Sequence, residues 1–178
     1  LETSSRYPYE VIISIFLLLL IAFDSYSQRQ TQNWYFGRNA GLSFVATPPT
    51  SLLDGALNTF EGCATFSDNQ GNLLFYTDGM NVFDKNHQRM PNGSGLMGNP
   101  SSAQSGIIVP NSSSPSKFYV FTVDAEGGGN GLRYSEVDLS LNGGTGDVIV
   151  ATQNTPLFTP AEEKIAAVRH PSIPGAFW

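Results

Sequence analysis

The chain has 178 residues, a length suited to one domain, and a formal net charge of −6. Only 13% of residues are charged, while glycine (18) and proline (11) are plentiful, which excludes a coiled coil and favours a turn-rich β protein. An acidic chain without Lys/Arg clusters excludes a nucleic-acid partner, and a single cysteine excludes a disulfide framework and a Cys-based zinc site.

Residues 1–27 read as a signal peptide. Arg6 supplies a sparse positive region, and the apolar run from Val11 to Phe23 is broken only by Ser14. A run of about 13 residues suits a signal-peptide core and falls short of the roughly 20 needed to cross a bilayer. Ser25 and Ser27 then offer small residues ahead of a cleavage before Gln28. The alternative is an uncleaved membrane anchor. Without this segment, which holds Arg6, Glu2, Glu10 and Asp24, the remainder stays acidic. An extracellular or cell-surface location is expected, with the outer membrane or export machinery as partners. Leu1 in place of a methionine and an apolar run reaching Trp178 read as a fragment of a longer frame.

Residues 28–178 show almost no helical periodicity, and short apolar runs recur between turn residues. Strands are predicted at 33–37 and 41–44, then at 63–66 and 73–77 on either side of the polar turn Ser67–Asn72, and at Val82–Phe83. Asp and Asn cap tight turns and Gly accepts φ > 0, so each gap has a reason to reverse the chain. Lys85–Ser105 is polar and rich in Gly, Asn, Ser and Pro, and reads as a long functional loop. Strands resume at 106–109, 117–123, 132–137 and 147–150, followed by a helical turn at Ala161–Glu163 and a last pair of runs at 165–168 and 177–178.

Three of these hairpins form a loose repeat, beginning at Cys63, Ile107 and Ala166. The first two units are offset by about 45 residues and the next two by about 59, near the length of a β-propeller blade. The predicted fold is all-β: a partial β-propeller-like domain of about two to three blades spanning 28–178, with a β-sandwich as the alternative.

Several motifs carry a family resemblance: Gln32–Phe44 (QNWYFGRNAGLSF), Gly71–Gly79 (GNLLFYTDG), Met90–Asn99, Gln104–Pro110, Phe121–Asp124 and Gly131–Tyr134. Together they resemble the N-terminal propeller-like domain of large exported Bacteroidota surface proteins. That resemblance implies adhesion-type modules downstream, a C-terminal sorting domain for type IX secretion, and gliding-motility-associated display. It implies no particular chemistry.

The residues themselves assemble no catalytic set. Ser67–Gly71 resembles the Asp-box hairpin of sialidases, where the box is structural, and it reads equally as a plain turn. Asp78, Asp84, Asp124, Glu126, Asp138 and Asp147 sit at strand ends, where a converging pair would serve glycoside hydrolysis or several would ligate calcium. No calcium-loop spacing is present, His87 and His170 lie far apart, and Ser105 lacks a nucleophile elbow. No catalytic residue, metal or cofactor is assigned. Cys63 reads as a small core residue. Trp34, Tyr35, Tyr76 and Tyr134, with Tyr119, are the candidate ligand-binding aromatics, core packing being the alternative use of such rings. The expected function is a non-enzymatic binding or adhesion module for a glycan or a protein. The alternative is the N-terminal part of a glycan-active hydrolase with two acids.

Overall fold

Turn residues reverse the chain so often that most strands pair with a neighbour in sequence. The computed structural model describes residues 29–173 and 175–177, and the predicted signal segment 1–27 lies outside them. Among the described residues twelve strands form three antiparallel sheets, none of them closed. The first sheet is β1 (Asn33–Phe36), β2 (Ala40–Ser43) and β3 (Thr50–Leu52), paired in that order. The second is β4 (Ala64–Ser67), β5 (Leu73–Thr77), β6 (Asn81–Asp84) and β7 (Arg89–Ser94). The third is β8 (Gly106–Pro110), β9 (Lys117–Val123), β10 (Leu132–Asp138) and β11 (Asp147–Val148), with β12 (Thr155–Phe158) also on β10.

The same local device makes two of the hairpins. At β4–β5, Asp68 Oδ1 accepts the backbone N–H groups of Gln70 (2.8 Å) and Asn72 (2.9 Å), and Gly71 takes φ +90°. At β6–β7, Asp84 Oδ1 accepts those of Asn86 (2.8 Å) and Gln88 (2.9 Å), and His87 takes φ +61°. A short carboxylate bonded to the amides two and four residues on holds the turn, and the left-handed residue closes it. The Asp-box-like segment is therefore a structural turn here.

Two apolar layers join the three sheets. Tyr35, Leu57 and Tyr76 are buried between the first and second sheets, with Leu52, Cys63, Leu73 and Phe83 around them. Phe75, Val82, Met90, Phe118, Val120, Val137 and Val148 fill the layer between the second and third. Full burial of each such side chain contributes about 1.5–3 kcal/mol, which makes these layers the main source of stability. The initial strands of the sheets adjoin in sequence, β1 beside β4 and β4 beside β8. At the far side β7 meets β11, where the Asn92 N–H and side-chain amide donate to both oxygens of Asp147 at 2.8 and 2.7 Å.

Several expectations need correction. Lys85–Ser105 is not one long loop: β7 lies within it, and Met90 and Leu96 are buried in the larger core. Its polar look comes from an edge strand, where Pro91 costs no ladder bond and Gly93 lets the chain pass close to the Val82 carbonyl. Ala161–Glu163 forms no helical turn. Glu163 instead clamps two loops, accepting the N–H of Ala103 (3.0 Å) and of Glu126 (2.8 Å). Strand 147–150 stops at Val148 and gives way to a 3₁₀ turn at Val150–Thr152. Residues 165–168 form no strand, and the terminal hairpin is reduced to one bridge between Arg169 and Phe177.

Candidate functional site

Alternation along β1 and β5 turns Tyr35 and Tyr76 into the first apolar layer, and both are buried. Their rings stack at 4.9 Å, and Phe83 stacks on the far face of Tyr76 at 5.3 Å. The Ala56 N–H donates to the Tyr76 hydroxyl oxygen at 3.0 Å, leaving the Tyr76 proton to donate to His87 Nδ1 at 3.1 Å. That assigns the imidazole proton to Nε2, which donates to Asp54 Oδ2 at 3.3 Å. Tyr35 donates its own proton to Asp54 Oδ1 at 3.0 Å. Burial, aided by the Asp54 carboxylate, pushes the Tyr35 phenol well above its ordinary range; burial raises Tyr76 as well. These two tyrosines stay neutral and hold two sheets together. Both rings belong to the core between these sheets.

Trp34 and Tyr134 lie elsewhere. Trp34 points away from the second sheet, is 51% exposed, and sits against Phe44 with ring centroids 4.9 Å apart. Tyr134 stands on the outer face of the third sheet, in edge contact with Tyr119 at 5.8 Å and near Phe121 at 6.2 Å. The structure thus brings Tyr35 and Tyr76 together and leaves Trp34 and Tyr134 on two separate surfaces.

Beside Tyr134 the outer face of β8–β10 deepens into a groove of about 470 Å³, a size common for small-ligand sites. Ile107, Val109, Tyr119 and Phe121 form its floor, and the segment 165–167 with Phe177 forms its far wall. Asn111 and Ser112 supply polar groups at one end, where the Asn111 side-chain amide donates to the Tyr119 hydroxyl at 3.1 Å. An apolar floor with an aromatic ring and a few polar groups suits the flat face of a sugar or an apolar peptide side chain. Asn111, Ser112 and Phe177 went unnoticed in the sequence. The available signal was β9 itself, Lys-Phe-Tyr-Val-Phe-Thr-Val, which is apolar on both faces and so calls for cover on both.

The acids serve turns. Asp78 Oδ1 accepts the N–H groups of Met80 (2.8 Å) and Asn81 (2.6 Å), and Asp138 Oδ1 accepts the N–H and hydroxyl of Ser140. Asp124 accepts the Asn99 amide, the Ala125 N–H and the Asn130 N–H. Burial alone would raise the Asp124 and Asp68 carboxyls, but these hydrogen bonds outweigh it and hold both below the ordinary carboxylate range. Among the described residues no group of three His, Cys, Asp or Glu side chains could hold a metal ion. Comparison with known proteins finds no matching family model, no matching curated protein and no matching solved structure.

Proposed function

We propose that this chain is a secreted or cell-surface-displayed, β-propeller-like binding or adhesion module, without enzymatic chemistry, whose ligand is a glycan or a protein. The observation that carries this reading is the groove over β8–β9, with Tyr119 and Phe121 on its floor and Asn111 and Ser112 at its end. A sugar ring stacks there on Tyr119 while its hydroxyls meet the polar end. Support for the blade-like reading is the repeated meander, with initial strands adjoining in order and outer strands β7 and β11 meeting. The export reading rests on the pattern of residues 1–27. The hydrolase alternative draws less support, because five of its six proposed acids accept backbone N–H groups at turns or strand ends.

The test is a glycan array followed by calorimetric titration of the best soluble glycan. Tyr119→Ala and Asn111→Ala are expected to weaken binding about tenfold or more while the fold persists. Unchanged affinity in both variants would remove the groove from the reading. Turnover of the bound glycan, lost on mutating two of the acids, would favour the hydrolase.

A further inference from the structure

The groove over β8–β9 does not stand alone. Pro110, Ser112 and Phe177 line it and also line a second cavity of about 740 Å³, so the two are joined along that rim. The second cavity runs across the strands that begin the second and third sheets, with Phe66 of β4 and Ile108 of β8 in its wall. A pocket of about 300–1,000 Å³ suits one small ligand. Two joined cavities of about 470 and 740 Å³ therefore suit a chain of several rings.

The charge of this double cavity is opposite to that of the protein. The chain carries 15 acids against 9 Lys and Arg, yet among the described residues no carboxylate lines either cavity. Arg169, in the wall of the second cavity, is the one charged residue that does. Its guanidinium makes no ion pair and no hydrogen bond among the described residues. Its backbone is fixed all the same. Arg169 bridges Phe177, the His170 N–H donates to the Ala176 carbonyl at 2.8 Å, and His170 Nδ1 accepts the Ser172 and Ile173 N–H groups. In the same wall, Gln30 Nε2 donates to Asn69 Oδ1 at 2.8 Å, which leaves the Asn69 side-chain nitrogen to donate into the cavity. A guanidinium fork matches the oxygens of a carboxylate or a sulfate, and the lack of acids nearby spares such a group repulsion.

We propose that the ligand of this groove is an anionic glycan. One sugar ring lies on Tyr119, and an acidic group further along the chain, a uronate carboxylate or a sulfate ester, seats on the Arg169 guanidinium. The inference rests on the groove reading above and narrows its ligand class. The acids elsewhere on the protein do not forbid it, because charges more than about 8 Å away are largely screened at physiological salt. A charge-assisted hydrogen bond made in contact is not screened in that way, so the local guanidinium outweighs the distant net charge.

Calorimetric titration of the purified chain with two matched pairs of probes tests it: tetragalacturonate and its methyl ester, and a sulfated galactan tetrasaccharide and its desulfated form. At least one acidic probe is expected to bind about tenfold or more tighter than its neutral counterpart, and which one does so identifies the acidic group. Arg169→Gln is expected to bring the two members of that pair within about twofold of each other. Arg169→Lys should keep part of the difference, since it retains the charge and loses the fork. Near-ultraviolet circular dichroism checks that each variant keeps the fold. Should Arg169→Gln disturb the bridge to Phe177, salt gives the same answer on the unaltered chain. Raising it from about 0.05 M to about 0.5 M is expected to weaken the acidic probe and leave its neutral counterpart unchanged. Equal affinity within both pairs overturns the proposal, as does a preference that Arg169→Gln leaves intact, or binding of none of the four probes. The two readings fail separately. Equal affinities that Tyr119→Ala abolishes remove only the acidic preference. An Arg169-dependent preference that survives Tyr119→Ala with undiminished affinity removes Tyr119 and its groove, and leaves the anion site.

Discussion

Two tyrosine pairs on neighbouring sheets show opposite fates for the same residue type. Tyr35 and Tyr76 stack at 4.9 Å under a second sheet, with both hydroxyls engaged in the His87–Asp54 network. Tyr119 and Tyr134 meet edge-on at 5.8 Å on a face that no described sheet covers, and the Tyr119 hydroxyl accepts from the Asn111 side-chain amide. Ring and strand are alike in the two places. What differs is whether another sheet arrives to exclude water, and that converts an amphipathic ring from a surface residue into a core residue.

The comparison can be broken hardest at the closed interfaces. Phe75→Ala, in the layer between the second and third sheets, is expected to cost about 3–5 kcal/mol in urea unfolding. Tyr76→Phe keeps the ring and removes only the hydroxyl, leaving the Ala56 N–H and His87 Nδ1 without their present partner. A loss of about 1–3 kcal/mol is expected by the same measurement. A value near zero would mean that water replaces the hydroxyl and that stacking alone joins these sheets.

Acid tests the turns that align the strands beneath both pairs. Asp138 is held below its ordinary range by Ser140, and Asp68 and Asp124 by hydrogen bonds that outweigh their burial. A carboxyl with a depressed folded pKa contributes stability that is present above its unfolded value of about 4 and is lost as pH falls through the folded value. Urea midpoints are expected to fall between about pH 4 and pH 2, and Asp68→Asn is expected to flatten part of that slope. The smallest effect belongs to the open faces. Trp34→Ala should change stability by about 1 kcal/mol, since the ring is half-exposed against Phe44 and its indole N–H donates to the Thr31 carbonyl at 2.8 Å. A larger loss would show that Trp34 is already covered.

Much of the strand pattern was legible. Leu73–Thr77 and Lys117–Val123 appear with the predicted bounds because alternation and flanking turn residues agree there. The strand β7 was hidden because Pro91, Asn92 and Gly93 look like a loop, and only pairing with β6 shows that Met90 points into the core. The groove was less legible still. Its walls come from β8, β9, residues 165–167 and Phe177, and no local pattern links residues so far apart. Likewise nothing in the spacing of Asp54, Tyr76 and His87 signals their contact, because two different sheets bring them together.

By itself the sequence determined the all-β class, the acidic charge and the places where the chain reverses. These depend on side-chain alternation and on turn chemistry within a few residues. Only the tertiary structure decided which aromatic rings are core and which are surface, because burial is a property of what lies opposite a strand. Tyr35 and Trp34 are adjacent in the chain, and one is buried while the other is half in water.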